Sequence, residues 1–243
     1  MPTYRLDVAY DGTDFHGYAR QDNVTTVQGA LEAALFRRTG VVDTAVAGRT
    51  DGGVHAEGQV VSFVLNDPVD EVLLQRSLNS QLGPAIAVNA VVAVPDDFHA
   101  RFSATGRGYR YRIWNGRVHD PLVWRTSWHV PEPLDLSAMD AAVGCLVGTH
   151  DFVSFCRKAP GRATAREVRE ARWVRDGDLV ELAVSANAFC HHMIRSIVSA
   201  SVEIGLGRLE PEAMGEILDA RDRTRATGTA PARGLTLVSV TYP

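Results

Sequence analysis

A glycine-rich loop around Asp51 is the densest group of residues that could carry out chemistry. Its sequence, Gly48-Arg49-Thr50-Asp51-Gly52-Gly53-Val54-His55, lies between two segments that read as strands. Arg49 stands two positions before Asp51 and can hold its carboxylate ionised, while the glycine pair lets a bulky planar substrate approach the backbone. An ionised carboxylate held in this way suits nucleophilic or electrostatic work on a glycosidic carbon. The composition is also typical of a turn in which aspartate only hydrogen-bonds the backbone, and local chemistry leaves both interpretations open.

A predicted strand with alternating arginine and aromatic residues is the second candidate site. The segment Arg107-Gly108-Tyr109-Arg110-Tyr111-Arg112 places cations on one face and rings on the other. Sheets that bind RNA use the same combination of charge and stacking. Tyr111 and Ile113 are instead expected to lie in the core, beneath a solvated arginine face.

The charge distribution favours a polyanionic partner only locally. The net charge is −4, which argues against nucleic-acid binding by the chain as a whole. Residues 101–125, however, contain six arginines against Asp120 alone, and residues 157–175 contain six arginines and one lysine against two glutamates. Arginine forms forked contacts with phosphates and stacks on bases. Charge runs are equally common on solvated surfaces, so charge alone does not decide the partner.

Metal, cofactor and membrane sites have little support in the sequence. Cys190-His191-His192 invites a metal site, but helical neighbours point in different directions and zinc motifs prefer other spacings. The segment Gly12–Gly17 lacks the lysine and the spacing of a phosphate loop. We therefore expect no metal and no cofactor. Three widely spaced cysteines and the lack of a run of about 18 apolar residues predict a soluble, reduced, cytoplasmic protein with no membrane segment.

These residues must be positioned by an α+β fold. Strand, helix, strand, strand, helix and strand follow one another in the first hundred residues, which is the split βαβ pattern of ferredoxin-like folds. The second half reads as an elaborated copy. We predict two ferredoxin-like subdomains, 1–104 with the nucleophile loop and 105–243 with the arginine–aromatic strand. They are expected to share a mixed, mainly antiparallel sheet, with helices on one side and a central cleft.

Several separate motifs, in the right order, resemble the tRNA pseudouridine synthase A family over essentially the whole chain. They are Gly48–Ala56, Asp96–Ala104, Tyr109-Arg110-Tyr111 and Ala186–Arg195. The resemblance implies that Asp51 is the catalytic nucleophile, that Tyr109 contacts the substrate near the target base, and that Arg49 binds substrate near Asp51.

The resemblance also implies an activity and an assembly. The family isomerises uridine to pseudouridine in the anticodon stem-loop of tRNA, at positions 38–40, works as a homodimer and requires no cofactor. A catalytically weakened member that only binds tRNA is the alternative. Two departures bear on it: Gly52 stands where alanine is usual, and Tyr18-Ala19 stands where a tryptophan–glutamine pair is common. The first is expected to loosen the loop around Asp51, and the second to alter a neighbouring surface rather than the chemistry.

Overall fold

A computed structural model describes residues 1–40, 43–157 and 163–243 of the chain. The described residues form two compact units. The first unit comprises Met1–Thr105 together with Thr236–Pro243, and the second comprises Gly106–Leu235. Within the described part of the chain, no helix is long and apolar enough to cross a membrane.

The first unit has the ferredoxin-like arrangement. Its elements are β1 (Thr3–Tyr10), α1 (Val27–Thr39), β2 (Ala45–Val46), β3 (His55–Val64), α2 (Glu71–Leu82) and β4 (Ile86–Val94). The strands lie in the order β4-β1-β3-β2, and each neighbouring pair is antiparallel. This is the strand order that a split βαβ unit produces, because each helix connects two strands that are separated by a third.

The second unit is also built from helices and antiparallel strands, but three strands that are consecutive in its sequence are neighbours in the sheet. Its elements are β5 (Gly106–Trp114), β6 (Trp128–His129), α3 (Leu136–Gly144), β7 (Gly148–Asp151), β8 (Ala165–Asp176), β9 (Leu179–Ala186), α4 (Met193–Gly205) and α5 (Ala213–Ala220). The strands β5, β9, β8 and β7 are antiparallel neighbours in that order, and β6 runs parallel beside β5. The α+β class predicted from the sequence is confirmed.

The last strand, β10 (Leu235–Thr241), departs from the predicted subdomain boundaries. The division into 1–104 and 105–243 placed this strand in the second subdomain. In the structure, residues 236–243 belong to the first unit. The reason is a parallel pairing of β10 with β3, in which Thr236 lies opposite His55. The two pairing segments are far apart in sequence, so no local pattern indicates the pairing.

Local signals positioned the elements around the Asp51 loop as expected. The Thr26 side chain accepts a hydrogen bond from the Gly29 N–H and so begins α1, and Gly40 ends this helix with φ +71°. The segment before the Asp51 loop, Val42–Ala47, reads as a strand in the sequence. The strand is observed as Ala45–Val46, and Val42 lies outside the described residues.

Candidate active site

The Asp51 loop, defined as residues 48–55, is held by the chain segment that follows β1. The Tyr18 N–H donates to the Thr50 carbonyl at 3.0 Å, and the Gly53 N–H donates to the Phe15 carbonyl at 3.3 Å. These two bonds flank Asp51 on either side. The backbone that carries the carboxylate is therefore fixed by hydrogen bonds before and after it.

Buried polar side chains support the same loop from below. Thr50 is buried, and a 2.8 Å hydrogen bond joins its Oγ1 to the Tyr10 hydroxyl. Gln59 Nε2 donates to the Tyr10 hydroxyl at 3.3 Å and to the Gly48 carbonyl at 2.8 Å. Burial raises the pKa of Tyr10 to about 12, so its hydroxyl stays protonated over the physiological range. The Tyr10 hydroxyl is thus neutral at physiological pH and stays a hydrogen-bond partner of Thr50 and Gln59.

The far end of the loop leaves no room for a side chain at Gly12. A Cβ added to Gly12 would lie 2.0 Å from the Val54 carbonyl oxygen. The Gly12 N–H donates to Nδ1 of the buried His55 at 3.0 Å. The close contact between Gly12 and Val54 and the hydrogen bond to His55 together fix the position at which the loop joins β3.

Asp51 is half-buried in the loop that these hydrogen bonds hold, and Arg49 is exposed. A role of Arg49 at the Asp51 carboxylate stays a prediction. The exposed guanidinium of Arg49 is accessible to solvent.

The departure at Tyr18 affects the loop more directly than the sequence suggested. We expected Tyr18-Ala19 to alter a neighbouring surface. In the structure Tyr18 is fully buried, its ring centroid lies 6.2 Å from that of Tyr10, and its N–H holds Thr50. The residue therefore belongs to the support of the Asp51 loop.

Tyr109 lies in the second unit, on β5 and opposite Val184 of β9. It is half-buried, and its ring packs edge-on against Phe189 with centroids 5.2 Å apart. Nearby, Arg107 Nη1 donates to the Asn187 carbonyl at 2.9 Å. Tyr109 is thus oriented by residues of the segment that precedes α4.

The core role expected for Tyr111 is confirmed. Tyr111 and Ile113 are both fully buried. The Tyr111 hydroxyl donates to the Pro231 carbonyl at 2.8 Å, which satisfies its polar atom inside the core.

The two adjacent histidines do not lie on a helix, as the sequence argument had assumed. α4 begins at Met193, and His192 precedes it in the left-handed region with φ +67°. This conformation brings the rings of His191 and His192 to a centroid distance of 4.1 Å. The argument that such neighbours must point apart is therefore wrong here, because it applies only to helical backbone.

Sequence analysis missed the residues that position the two candidate side chains. They are Tyr10, Tyr18, Gln59 and Phe189. Gln59 lies in β3 directly before the apolar pair Val60-Val61 and is fully buried. A buried amide must find hydrogen-bond partners, which points to a loop at the strand end. The other three are aromatic residues whose sequence context resembles ordinary core.

A family model and individual relatives both match most of the chain, and both give the same kind of protein. A family model described as tRNA pseudouridine synthase matches residues 8–103 and 142–243. Over 246 residues, the chain is 46% identical to a protein of Moorella thermoacetica named tRNA pseudouridine synthase A, and the alignment covers 100% of both. Proteins of the same name from Leifsonia xyli and Shigella boydii are 44% and 43% identical, and the alignments cover 99% and 100% of this chain and 91% and 92% of those proteins.

These matches define the protein as an isomerase that acts on tRNA. The chain belongs to the tRNA pseudouridine synthase family, whose reaction converts uridine to pseudouridine. Asp51 and Arg49 fall inside the residues matched by the family model, and Tyr109 falls between the two matched ranges.

The glycine pair after Asp51 offers a matched test of the loop. A Cβ at Gly52 would lie 3.5 Å from the nearest backbone atom of His16, an ordinary contact, whereas Gly53 has φ +77°. We expect Gly52→Ala to raise the free energy of unfolding by about 0.4–1 kcal/mol, because it restricts the unfolded chain. Gly53→Ala should lower it by about 1–2 kcal/mol through left-handed strain. Urea denaturation measures both, and equal changes would contradict this account of the loop.

Proposed function

We propose that this protein isomerises uridine to pseudouridine in the anticodon arm of tRNA, just 3′ of the anticodon, with Asp51 as the nucleophile. The observation that carries the proposal is the fixed backbone around a half-buried Asp51, inside a range that the family model matches. A catalytic group must be held close to its target atom in one orientation, and a loop anchored on buried hydrogen bonds meets that need.

The reaction requires one ionised carboxylate and a rotation of the base. The N1–C1′ bond of uridine breaks, the uracil ring turns, and a C5–C1′ bond forms. No atoms are gained and no net oxidation occurs, so the reaction needs no cofactor to supply atoms or electrons. The Asp51 carboxylate can attack C1′, add to the uracil ring, or deprotonate the sugar to give a glycal. All three routes use the same group and the same exposed target base.

The target base must leave its stack before any of these routes can begin. Extruding a base from a stack costs about a few kcal/mol. Stacking on an aromatic ring contributes about 1–3 kcal/mol per base, and arginine–phosphate contacts add to this, so the cost can be offset. We assign contact with the uracil to the half-buried Tyr109, which Phe189 orients. We assign substrate binding to Arg49, since its exposed guanidinium suits an RNA phosphate.

The experiment that tests the function uses unmodified tRNA made by transcription. We expect incubation with the purified protein to produce pseudouridine just 3′ of the anticodon, detected by nucleoside mass spectrometry and by primer extension after carbodiimide treatment. A tRNA with cytidine at those positions is the matched control and should give none. Equal yields with and without a chelator are expected. Tight tRNA binding without product would instead favour the catalytically weakened alternative.

A two-fold assembly in the cytoplasm completes the proposal. The chain carries a net charge of −4, so tRNA must bind through local arginine clusters. A homodimer duplicates those clusters and lets one tRNA extend over both subunits. Cytoplasmic tRNA is the substrate pool that such an enzyme would meet. Light scattering on the purified protein, with and without tRNA, measures the oligomeric state, and a monomer in both conditions would contradict the dimer.

The basic segment that begins at Arg157 gives a further prediction about tRNA binding. Arg157 is exposed, while Lys158 and Arg162 of the same segment lie outside the described residues. We expect Arg157→Glu to weaken tRNA binding and to reduce the slope of log affinity against log salt by about 1, because one phosphate contact is lost. Turnover at saturating tRNA should be unchanged.

Binding isotherms at several salt concentrations measure that slope. Arg38→Glu is the control, since Arg38 is also exposed, lies at the end of α1 outside both basic segments, and changes the net charge equally. An unchanged slope in Arg157→Glu, or an equal change in both variants, would remove this cluster from the tRNA path.

A further inference from the structure

The Phe102 turn, defined as residues 99–103, carries an exposed aromatic ring outside the Asp51 loop. The turn follows β4 in the first unit, and Phe102 is 74% exposed. An apolar ring left in water contributes little to the free energy of folding. Single exposed apolar residues are common on protein surfaces, so the argument for a site depends on what surrounds this ring.

A histidine and an arginine lie against the Phe102 ring. The His99 ring packs beside it with a centroid distance of 4.4 Å and an interplanar angle of 35°. The guanidinium carbon of Arg101 lies 5.4 Å from the centroid of the Phe102 ring, which is within the range of a cation–π contact. Arg101 is itself exposed. The turn therefore presents an accessible aromatic surface together with a positive charge.

Hydrogen bonds fix the backbone and the histidine of the Phe102 turn. His99 Nδ1 accepts from the N–H groups of Arg101 and Phe102 at 3.1 and 3.3 Å. The Ser103 N–H donates to the His99 carbonyl at 2.9 Å, and the His99 N–H donates to Ser103 Oγ at 3.0 Å. Because these bonds hold the turn before a partner binds, little conformational entropy is lost when the ring is covered.

The Phe102 turn is attached to the sheet at a distance from the Asp51 loop. The Ala100 N–H donates to the buried Ser62 Oγ at 3.0 Å, and the Tyr242 hydroxyl donates to the Ala100 carbonyl at 2.8 Å. Ser62 lies on β3, seven positions beyond His55, where the Asp51 loop joins this strand. At about 3.3 Å per residue, the point of attachment is about 20 Å along β3 from that loop.

We infer that the Phe102 turn is a second contact site for the tRNA substrate, at which an unpaired base other than the target uridine stacks on Phe102. Every base has a flat π face, so an aromatic ring can bind it whatever the sequence. The guanidinium of Arg101 supplies a charge suited to a neighbouring phosphate. That tRNA is the substrate follows from the family, whereas the distinction from the target base rests on the proposed function.

Substitutions at position 102 test the stacking contact in binding isotherms of the full chain with unmodified tRNA. We expect Phe102→Ala to weaken affinity about 5- to 150-fold, the contribution of one base–aromatic stack, and Phe102→Trp to stay within about threefold of wild type because it keeps a ring. Phe36→Ala is the matched control, since Phe36 is a 56% exposed aromatic residue on α1 of the same unit. Wild-type affinity in Phe102→Ala, or an equal loss in Phe36→Ala, would overturn the inference.

The salt dependence of the same isotherms separates stacking from charge. Stacking releases no counterions, so Phe102→Ala should keep the wild-type slope of log affinity against log salt, whereas Arg101→Gln should reduce that slope by about 1. The melting temperature of Phe102→Ala should change by less than about 2 °C, because the ring is mostly exposed. A larger fall in melting temperature, or a reduced slope in Phe102→Ala, would contradict a stacking contact.

A photo-crosslinker at position 102 identifies what the ring contacts. With p-benzoylphenylalanine in place of Phe102, we expect irradiation to link the protein to a tRNA nucleotide other than the target uridine, mapped by primer extension. The same crosslinker in place of Phe36 should give no RNA adduct. Absence of an adduct at position 102, or a link to the target uridine or to a second protein chain, would overturn the inference. Because crosslinking requires no turnover, it decides this site even if the tRNA stays unmodified and the proposed function fails.

Discussion

Asp51→Asn is expected to abolish pseudouridine formation, with a loss of roughly ten-thousandfold or more, while tRNA affinity and stability stay near wild type. The amide keeps the shape of the side chain and removes its charge, so only a role that needs a carboxylate is lost. Removing a group that bonds to the substrate costs this much in other enzymes. Single-turnover assays at saturating tRNA measure the chemical step, and binding isotherms measure affinity separately.

Asp14→Asn is the matched control for this variant. Asp14 is exposed and lies in the neighbouring loop after β1, outside the Asp51 loop. It should retain wild-type turnover. Turnover of Asp51→Asn within tenfold of wild type would exclude Asp51 as the nucleophile. A large fall in melting temperature would favour the alternative in which Asp51 only stabilises a turn, because the amide keeps the size of the side chain and removes only its charge.

Local patterns predicted the elements that carry the Asp51 loop. In the sequence, Tyr4, Leu6, Val8 and Tyr10 alternate with Arg5, Asp7 and Ala9, which predicts a half-buried strand. All four residues are buried on one face of β1. The pair Asp176-Gly177 is a hairpin signal in the sequence. The turn is observed between β8 and β9, with Gly177 at φ +56°. These features are encoded within a few residues, so periodicity and turn chemistry suffice to find them.

Long-range pairings could not be predicted in the same way. Gln59 reaches Tyr10 across 49 positions, and β10 pairs with β3, to which no short-range signal connects it. Such contacts depend on how the strands assemble into the sheet. A single sequence shows the residues of each strand but not which strands become neighbours.

Tyr109 gives the second large expected effect, and two substitutions separate its possible roles. Tyr109→Phe keeps the ring that packs on Phe189 and removes only the hydroxyl. If the hydroxyl helps to remove the C5 proton, we expect turnover to fall by roughly 10²–10⁴-fold with tRNA binding retained. Tyr109→Ala removes the ring as well and should additionally weaken binding by about 1–3 kcal/mol, the contribution of one base–aromatic stack.

The neighbouring Tyr111 provides the control that makes this comparison decisive. It lies two positions further along β5, and its hydroxyl bonds the Pro231 carbonyl inside the core. Tyr111→Phe should lower the free energy of unfolding by about 1 kcal/mol without changing turnover. If Tyr109→Phe retains turnover and Tyr109→Ala does not, the ring alone serves as a platform for uracil. Wild-type turnover in both Tyr109 variants would remove this residue from the site, because neither stacking nor proton transfer could then depend on it.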